Sequence, residues 1–246
     1  MADLLDRILL AHGGVRRWEG VNQVLARVSM GGAEFTTRLH VNPLRDAEVT
    51  VSTASPDVTI CGYPGPDDVA RFQPNRVSIE SSDGTLLQER TAPGVTFHSV
   101  RHWLWWDQLD VTYYCGLSLW QAMCLPFMLL RSGTEVEELE PVTLDGERLR
   151  RLRVVLPADI PTLVTDLILH ADATGLLRRL DYSPGLYGSW IRVAQVLEEP
   201  EFFDGFVHAT RRHVHACVPG GYAIRAMPLG WIYLDDIGVA RRAAVK

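Results

Sequence analysis

Apolar positions recur at steps of three or four through residues 103–131, at Trp106, Leu109, Tyr113, Leu117, Trp120, Cys124, Phe127 and Leu130. That spacing puts them on one side of a helix. The other side carries Tyr114, Ser118, Gln121 and Leu125, and no charged side chain stands between Asp110 and Arg131. A helix apolar nearly all round belongs in a protein core or in a membrane. Residues 111–130 reach the roughly 20 needed to span a bilayer. Thr112, Gly116, Ser118, Gln121 and Pro126 interrupt the stretch, however, and no basic loop flanks it on the Asp110 side, so the expectation is a buried helix without stable membrane insertion.

Elsewhere the pattern is different. Residues 2–12 form a short amphipathic helix, with Leu4, Leu5, Ile8 and Leu9 together and Gly13-Gly14 as the stop. A turn at 15–19 brings Trp18 onto the core. The period then changes to alternation, and strands are predicted at 22–30, 34–41, 46–52, 57–63, 77–81 and 86–91, with 64–74 as a loop. After the helical insert they resume at 135–144, 148–156, 163–171, 176–182, 190–198, 205–218 and 231–239. Asp83-Gly84, Asp145-Gly146, Thr174-Gly175 and Asp204-Gly205 supply hairpin chemistry. The result is a mainly β (α+β) chain, about a dozen strands in a meander with one helical excursion at about 103–131, which implies a barrel or a wide curved antiparallel sheet. No linker or repeat interrupts residues 1–246, so a single domain is expected.

Composition narrows the class. Hydrophobic residues at 47% and charged residues at 22% are those of an ordinary globular protein, and a net charge of −6 without a basic run argues against nucleic acid as partner. Asp3 and Asp6 stand where a secretory signal needs basic residues, so the expected location is the cytoplasm. Cys61, Cys115, Cys124 and Cys217 have neither metal-site nor redox spacing, and neither metal nor cofactor is expected. Phosphate-cradling glycine loops, the dinucleotide fingerprint and the Gly-x-Ser-x-Gly elbow are missing.

The order AHGGVRRW, WWDQLDVTYYCGLSLWQAMCLPF, GLLRRLDY, FFDGFVHATRRHV and a closing LDDIGV resembles uncharacterised bacterial proteins related to the LolA-like half-barrel. The resemblance implies a curved antiparallel sheet wrapped around helices, enclosing an apolar ligand space. Lipoprotein carriers of that fold are exported. No export signal is visible here, so what the resemblance brings is the cavity, not lipoprotein delivery.

Several residues are chemically suggestive. In the hairpin around Thr174-Gly175, a loop of 172–175 puts His170, Arg179 and Asp181 on one face, whereas a loop of 173–175 gives His170 the neighbours Arg178 and Tyr182. A histidine beside a carboxylate or tyrosine can move protons near neutral pH. The alternative is a solvated face with an Arg–Asp pair of little energetic weight. Arg211, His213, His215 and Cys217 alternate onto one strand face and read as surface histidines, while Arg211 or Arg212 has the fork that holds a carboxylate. Asp107 and Asp110 suit the first turn of the helix, where they favour its positive end. Trp105, Trp106, Tyr113, Tyr114, Trp120 and Phe127 are either core packing or the aromatic lining of a small-molecule pocket.

These residues define an expected function: binding of an apolar or aromatic small molecule in an internal cavity. In the enzyme form, His170, Asp181, Tyr182, Asp107 and Arg211 perform cofactor-independent hydrolysis, cyclisation or isomerisation in specialised metabolism, with water-poor surroundings raising the carboxylate pKa values. In the other form the protein is a non-catalytic carrier of a lipid or hydrophobic intermediate.

Overall fold

The structure is a computed structural model that describes residues 2–97, 102, 104–184, 191–218 and 221–241. Trp103 and Trp190, which begin two of the predicted elements, lie outside these residues. The chain packs as two compact units.

The first unit opens with helix α1 (Ala2–Ala11) and the turn α2 (Val15–Trp18). α1 buries Leu4, Ile8 and Leu9 on one side, as its periodicity requires.

The second unit begins at β1 (Val21–Gly31) and continues through β2 (Leu44–Ser52), β3 (Val58–Cys61), β4 (Asp68–Gln73), β5 (Arg76–Ser81) and β6 (Leu86–Thr91). Each pairs antiparallel with the next. Alternating burial of Val24, Ala26 and Val28 on β1, and of Val49 and Val51 on β2, gives this sheet a core face. A short helix, α3 (Ala33–Thr36), stands between β1 and β2, and α4 (Pro93–Phe97) and a 17-residue helix, α5 (Gln108–Cys124), follow β6.

The 103–131 insert is therefore shorter as a helix than its pattern predicts. Asp107 caps the start, because its Oδ1 accepts from the Asp110 N–H at 2.9 Å while Asp110 Oδ2 accepts from the Asp107 N–H at 3.0 Å. Pro126 ends it, since the residue before a proline avoids the helical region. A separate 3-10 turn then covers Phe127–Leu130. α5 lies on β2 to β6, and it comes so close that a Cβ on Gly116 would stand 2.2 Å from Phe72 of β4.

Two further expectations fail in this unit. Residues 34–41 alternate by chance. They form α3 and a turn with Leu39 at φ 70° and Asn42 at φ 47°, held by Thr36 Oγ1 donating to the Gly32 carbonyl. The predicted 64–74 loop holds β4, whose Ala70 and Phe72 point into the core between proline-rich flanks.

The chain returns to the first unit with β7 (Glu135–Leu144), β8 (Glu147–Val155), β9 (Asp166–Ala171), β10 (Leu177–Tyr182), β11 (Val193–Phe203) and β12 (Phe206–Ala216), again in an antiparallel meander. The last strand, β13 (Gly230–Arg241), neighbours β1 in the second unit. Among the described residues there are thirteen strands, in agreement with the predicted dozen or so, and the fold class is mainly antiparallel β.

At one place the N-terminal elements fit the β11–β12 turn tightly. A Cβ on Gly13 would stand 2.6 Å from the Gly205 carbonyl, and Gly13 has φ 123°, which side chains other than glycine's rarely adopt. Arg17 Nη1 donates to that same carbonyl at 2.9 Å, and the Val207 N–H donates to the His12 carbonyl at 3.3 Å.

Candidate functional site

Three arrangements of polar and aromatic residues are candidates. The first surrounds the start of α5. Arg90 of β6 reaches Asp110 Oδ1 at 2.5 Å and also Asp107, and His102 Nε2 is 2.9 Å from Asp110 Oδ1. Burial pushes the Asp107 carboxyl up, but Arg90 and the Asp110 N–H outweigh it and hold the group below the usual carboxylate range. Behind this cap Arg38 lies over the Trp106 ring at 4.5 Å, and the Trp106 indole N–H donates to the His102 carbonyl at 2.9 Å. Tyr114 donates to Glu34 and packs against Phe35 and Trp106. Tyr113 tilts against Phe72, and the Trp120 N–H donates to the Ser52 carbonyl at 3.1 Å.

Trp106 and Trp120 are thus fully buried, whereas Trp105 is half exposed. Phe127 belongs to the first unit, where it stacks on Trp18 with centroids 4.5 Å apart. Leu39 (77% exposed), Val41, Val95 (80%), Leu104 (76%) and Trp105 leave an apolar fringe at the N-terminal end of α5. Hydrogen bonds from Arg38 to the His102 carbonyl (2.9 Å) and between His40 and the Trp106 carbonyl (3.0 Å) tie the two segments that carry most of it.

The second arrangement lies on one face of β9–β12. Ala171 pairs with Leu177, and a bulge between Leu177 and Arg179 then sets His170 opposite Arg179, so neither predicted loop is kept but the grouping of His170, Arg179 and Asp181 on one face is found. His170 Nε2 is 3.0 Å from Asp181 Oδ2, Arg179 donates to Asp181 Oδ1, and Arg179 also donates to the Gly221 carbonyl. Burial raises the Asp181 pKa, but His170 and Arg179 prevail and the carboxyl ends below its ordinary range. The expected rise of the carboxylate pKa values is therefore reversed at both Asp107 and Asp181, because each has an arginine in contact. Tyr182 sits across from Leu167, so alternation points its side chain to the opposite face from Asp181. Arg211 is half-buried, donates to the Thr210 carbonyl, and has Glu199 at 3.6 Å. His213 Nδ1 bonds Glu198 at 2.8 Å, and His215 is buried, contrary to the surface reading of this strand.

The sequence reading missed the third arrangement as a site. Arg212 pairs with Leu197, the neighbour of Val196 in the row that runs from Arg179 to His213, and so lies on the opposite face of the sheet. A cavity with room for about one water molecule opens there, lined by His12, Leu125, Leu177, Leu197, Val207, His208, Ala209 and Arg212. His208 is 3% and Arg212 4% exposed. Burial lowers the His208 pKa to about 3, helped by the nearby Arg212 and His12 charges, and lowers that of Arg212 to about 10. His12 is also lowered, chiefly by burial, although its Nδ1 lies 2.8 Å from the Ile8 carbonyl. His208 Nε2 is buried without a hydrogen-bond partner. The available sequence signal was the alternation of Phe206, His208, Thr210 and Arg212, in which the phenylalanine marks the inward face.

Among the described residues no group of three or more His, Cys, Asp or Glu could hold a metal ion, and no helix is long and apolar enough to cross a membrane.

With this geometry in view, known proteins supply a class. No family model matches the chain, and no curated protein matches it. Solved structures do. The chain is similar to a LolA superfamily protein from Nitrosomonas europaea with a TM-score of 0.54 at 8% identity, over 98% of this chain and 94% of that one. A DUF1329 family protein from Desulfovibrio piger gives 0.44 at 9% identity over 96% and 90%, and the Mycobacterium tuberculosis lipoprotein LppX gives 0.31 at 15% over 95% and 92%. The fold is LolA-like, as the sequence resemblance implied. At 8% identity the likeness is one of fold alone, and function has to be argued from this chain's own residues.

Proposed function

We propose that this protein is a non-catalytic carrier that shelters a lipid or another apolar small molecule, taken up at the N-terminal end of α5. One observation carries the reading: Leu39, Val41, Leu104 and Trp105 are exposed on two segments that hydrogen bonds of Arg38 and His40 tie together before α5, and Val95 of α4 is exposed as well. Apolar surface grouped in this way marks a place where an apolar partner binds. The fold shared with the LolA superfamily protein from Nitrosomonas europaea supports it. Native mass spectrometry of the protein purified from its own host, before and after denaturation, tests the reading. A co-purifying apolar compound that is lost in a Leu104→Asp/Trp105→Asp variant is the expected result. An empty protein that also fails to take up added fatty acid or phospholipid overturns it.

A second reading is favoured by the His170–Asp181 contact at 3.0 Å, together with His170 Nδ1, which is buried without a partner. Here His170 moves a proton on a bound intermediate in hydrolysis, cyclisation or isomerisation, with Asp181 orienting the ring. Turnover of such an intermediate that survives His170→Ala removes this role.

A further inference from the structure

The cavity between α1 and β12 has a lining of unusual sign. Its polar side chains are His12, His208 and Arg212, and no acidic side chain lines it. Its apolar members, Leu125, Leu177, Leu197 and Val207, exclude water from all but a small central space. A donor aimed into such a space without a partner costs about 1–3 kcal/mol.

We propose that this cavity is a binding site for a small monovalent anion, held between His208 Nε2 and the Arg212 guanidinium with His12 as a third wall. Three observations point to it. His208 Nε2 is buried and unpartnered, and with its proton on that nitrogen it presents a donor. Arg212 keeps its charge at neutral pH even after burial has lowered its pKa to about 10. The space suits one compact atom, as a halide or a single carboxylate oxygen would require. The anion comes either as a free ion or as the carboxylate end of a larger molecule. The site does not depend on the carrier reading, which concerns the other unit.

Bromide separates these outcomes. Crystals soaked in sodium bromide are expected to show an anomalous peak within hydrogen-bond reach of His208 Nε2. In solution, bromide and formate are expected to raise the melting temperature of the wild type. The dissociation constant should weaken about tenfold in His208→Leu, which fills the space, and should stay near the wild-type value in His208→Asn, which keeps a donor. Displacement of bromide by laurate identifies the anion as the head of an apolar ligand. Laurate without effect identifies a free ion. A water at the cavity centre in bromide-soaked crystals, or a peak seen only at molar bromide with no thermal shift in solution, overturns the proposal. If His208→Leu fails to fold, Arg212→Met and His208→Asn carry the same comparison.

Discussion

His170 and His208 are both buried histidines of the first unit, on opposite faces of β9–β12, and a carboxylate separates their circumstances. On the His170 face, Asp181 accepts from Arg179 and lies 3.0 Å from His170, so a negative group stands among the positive ones. On the His208 face the cavity lining offers an arginine, two histidines and apolar side chains. A cluster that carries its own counter-charge behaves as a rivet. One that presents donors to an empty space is built for something that arrives from outside. The teaching for candidate sites is that a histidine beside an aspartate attracts attention in a sequence, yet the less conspicuous histidine is the one that lines a cavity without a carboxylate in its walls.

Removing the counter-charge is the strongest way to break this comparison. Asp181→Ala leaves the buried Arg179 without its carboxylate and is expected to destabilise the fold by about 3 kcal/mol in urea titration. A loss below about 1 kcal/mol would mean that Arg179 is satisfied by Gly221 and the triad is incidental.

Acid titration sharpens the contrast, because His208 and Asp181 should fail in different windows. His208 is lowered from 6.5 to about 3 in the folded state, so below pH 6.5 the unfolded chain takes up a proton that folded His208 refuses. Stability is therefore unaffected above pH 6.5 and falls by about 1.4 kcal/mol per pH unit below it, or about 2 kcal/mol by pH 5 in low-halide buffer. His12, also lowered, adds in the same direction. Asp181 has its folded pKa below the unfolded one, so its contribution is complete above about pH 4 and is lost as the pH falls through the folded value. His208→Leu should flatten the pH 6.5–5 slope and leave the loss below pH 4 intact. Equal slopes in variant and wild type would move the acid sensitivity elsewhere.

The smallest effect is expected at His213→Ala. Its bond to Glu198 is partly exposed, and its loss should cost under about 0.5 kcal/mol by the same titration.

Much of the fold was legible where local chemistry agrees with tertiary structure. β6 and β7 begin and end where alternation and turn residues place them. Residues 34–41 misled because their alternation has no sheet partner. Their anchor is Arg38 over Trp106, a contact made from far along the chain. β4 was hidden because Pro64, Pro66 and Pro74 around it read as loop. The His170–Asp181 contact depends on a bulge between Leu177 and Arg179, which strand periodicity does not announce. The cavity is no more legible, since His12 comes from the end of α1 and His208 from β12, and no local pattern announces their meeting.

The glycine contact that joins these segments also dictates an order of assembly. Arg17 and the Gly205 carbonyl that it grips are 188 residues apart, so α1 leaves the ribosome long before the hairpin that seats it. Leu4, Ile8 and Leu9 have no sheet of the first unit to cover until β8 and the strands after it have been made. Closure of the first unit is a contact of high sequence separation, which pays its loop entropy late. The nascent chain therefore holds α1 without its Gly205 contact until the β11–β12 turn has been made, and the wall that His12 gives the cavity forms only then.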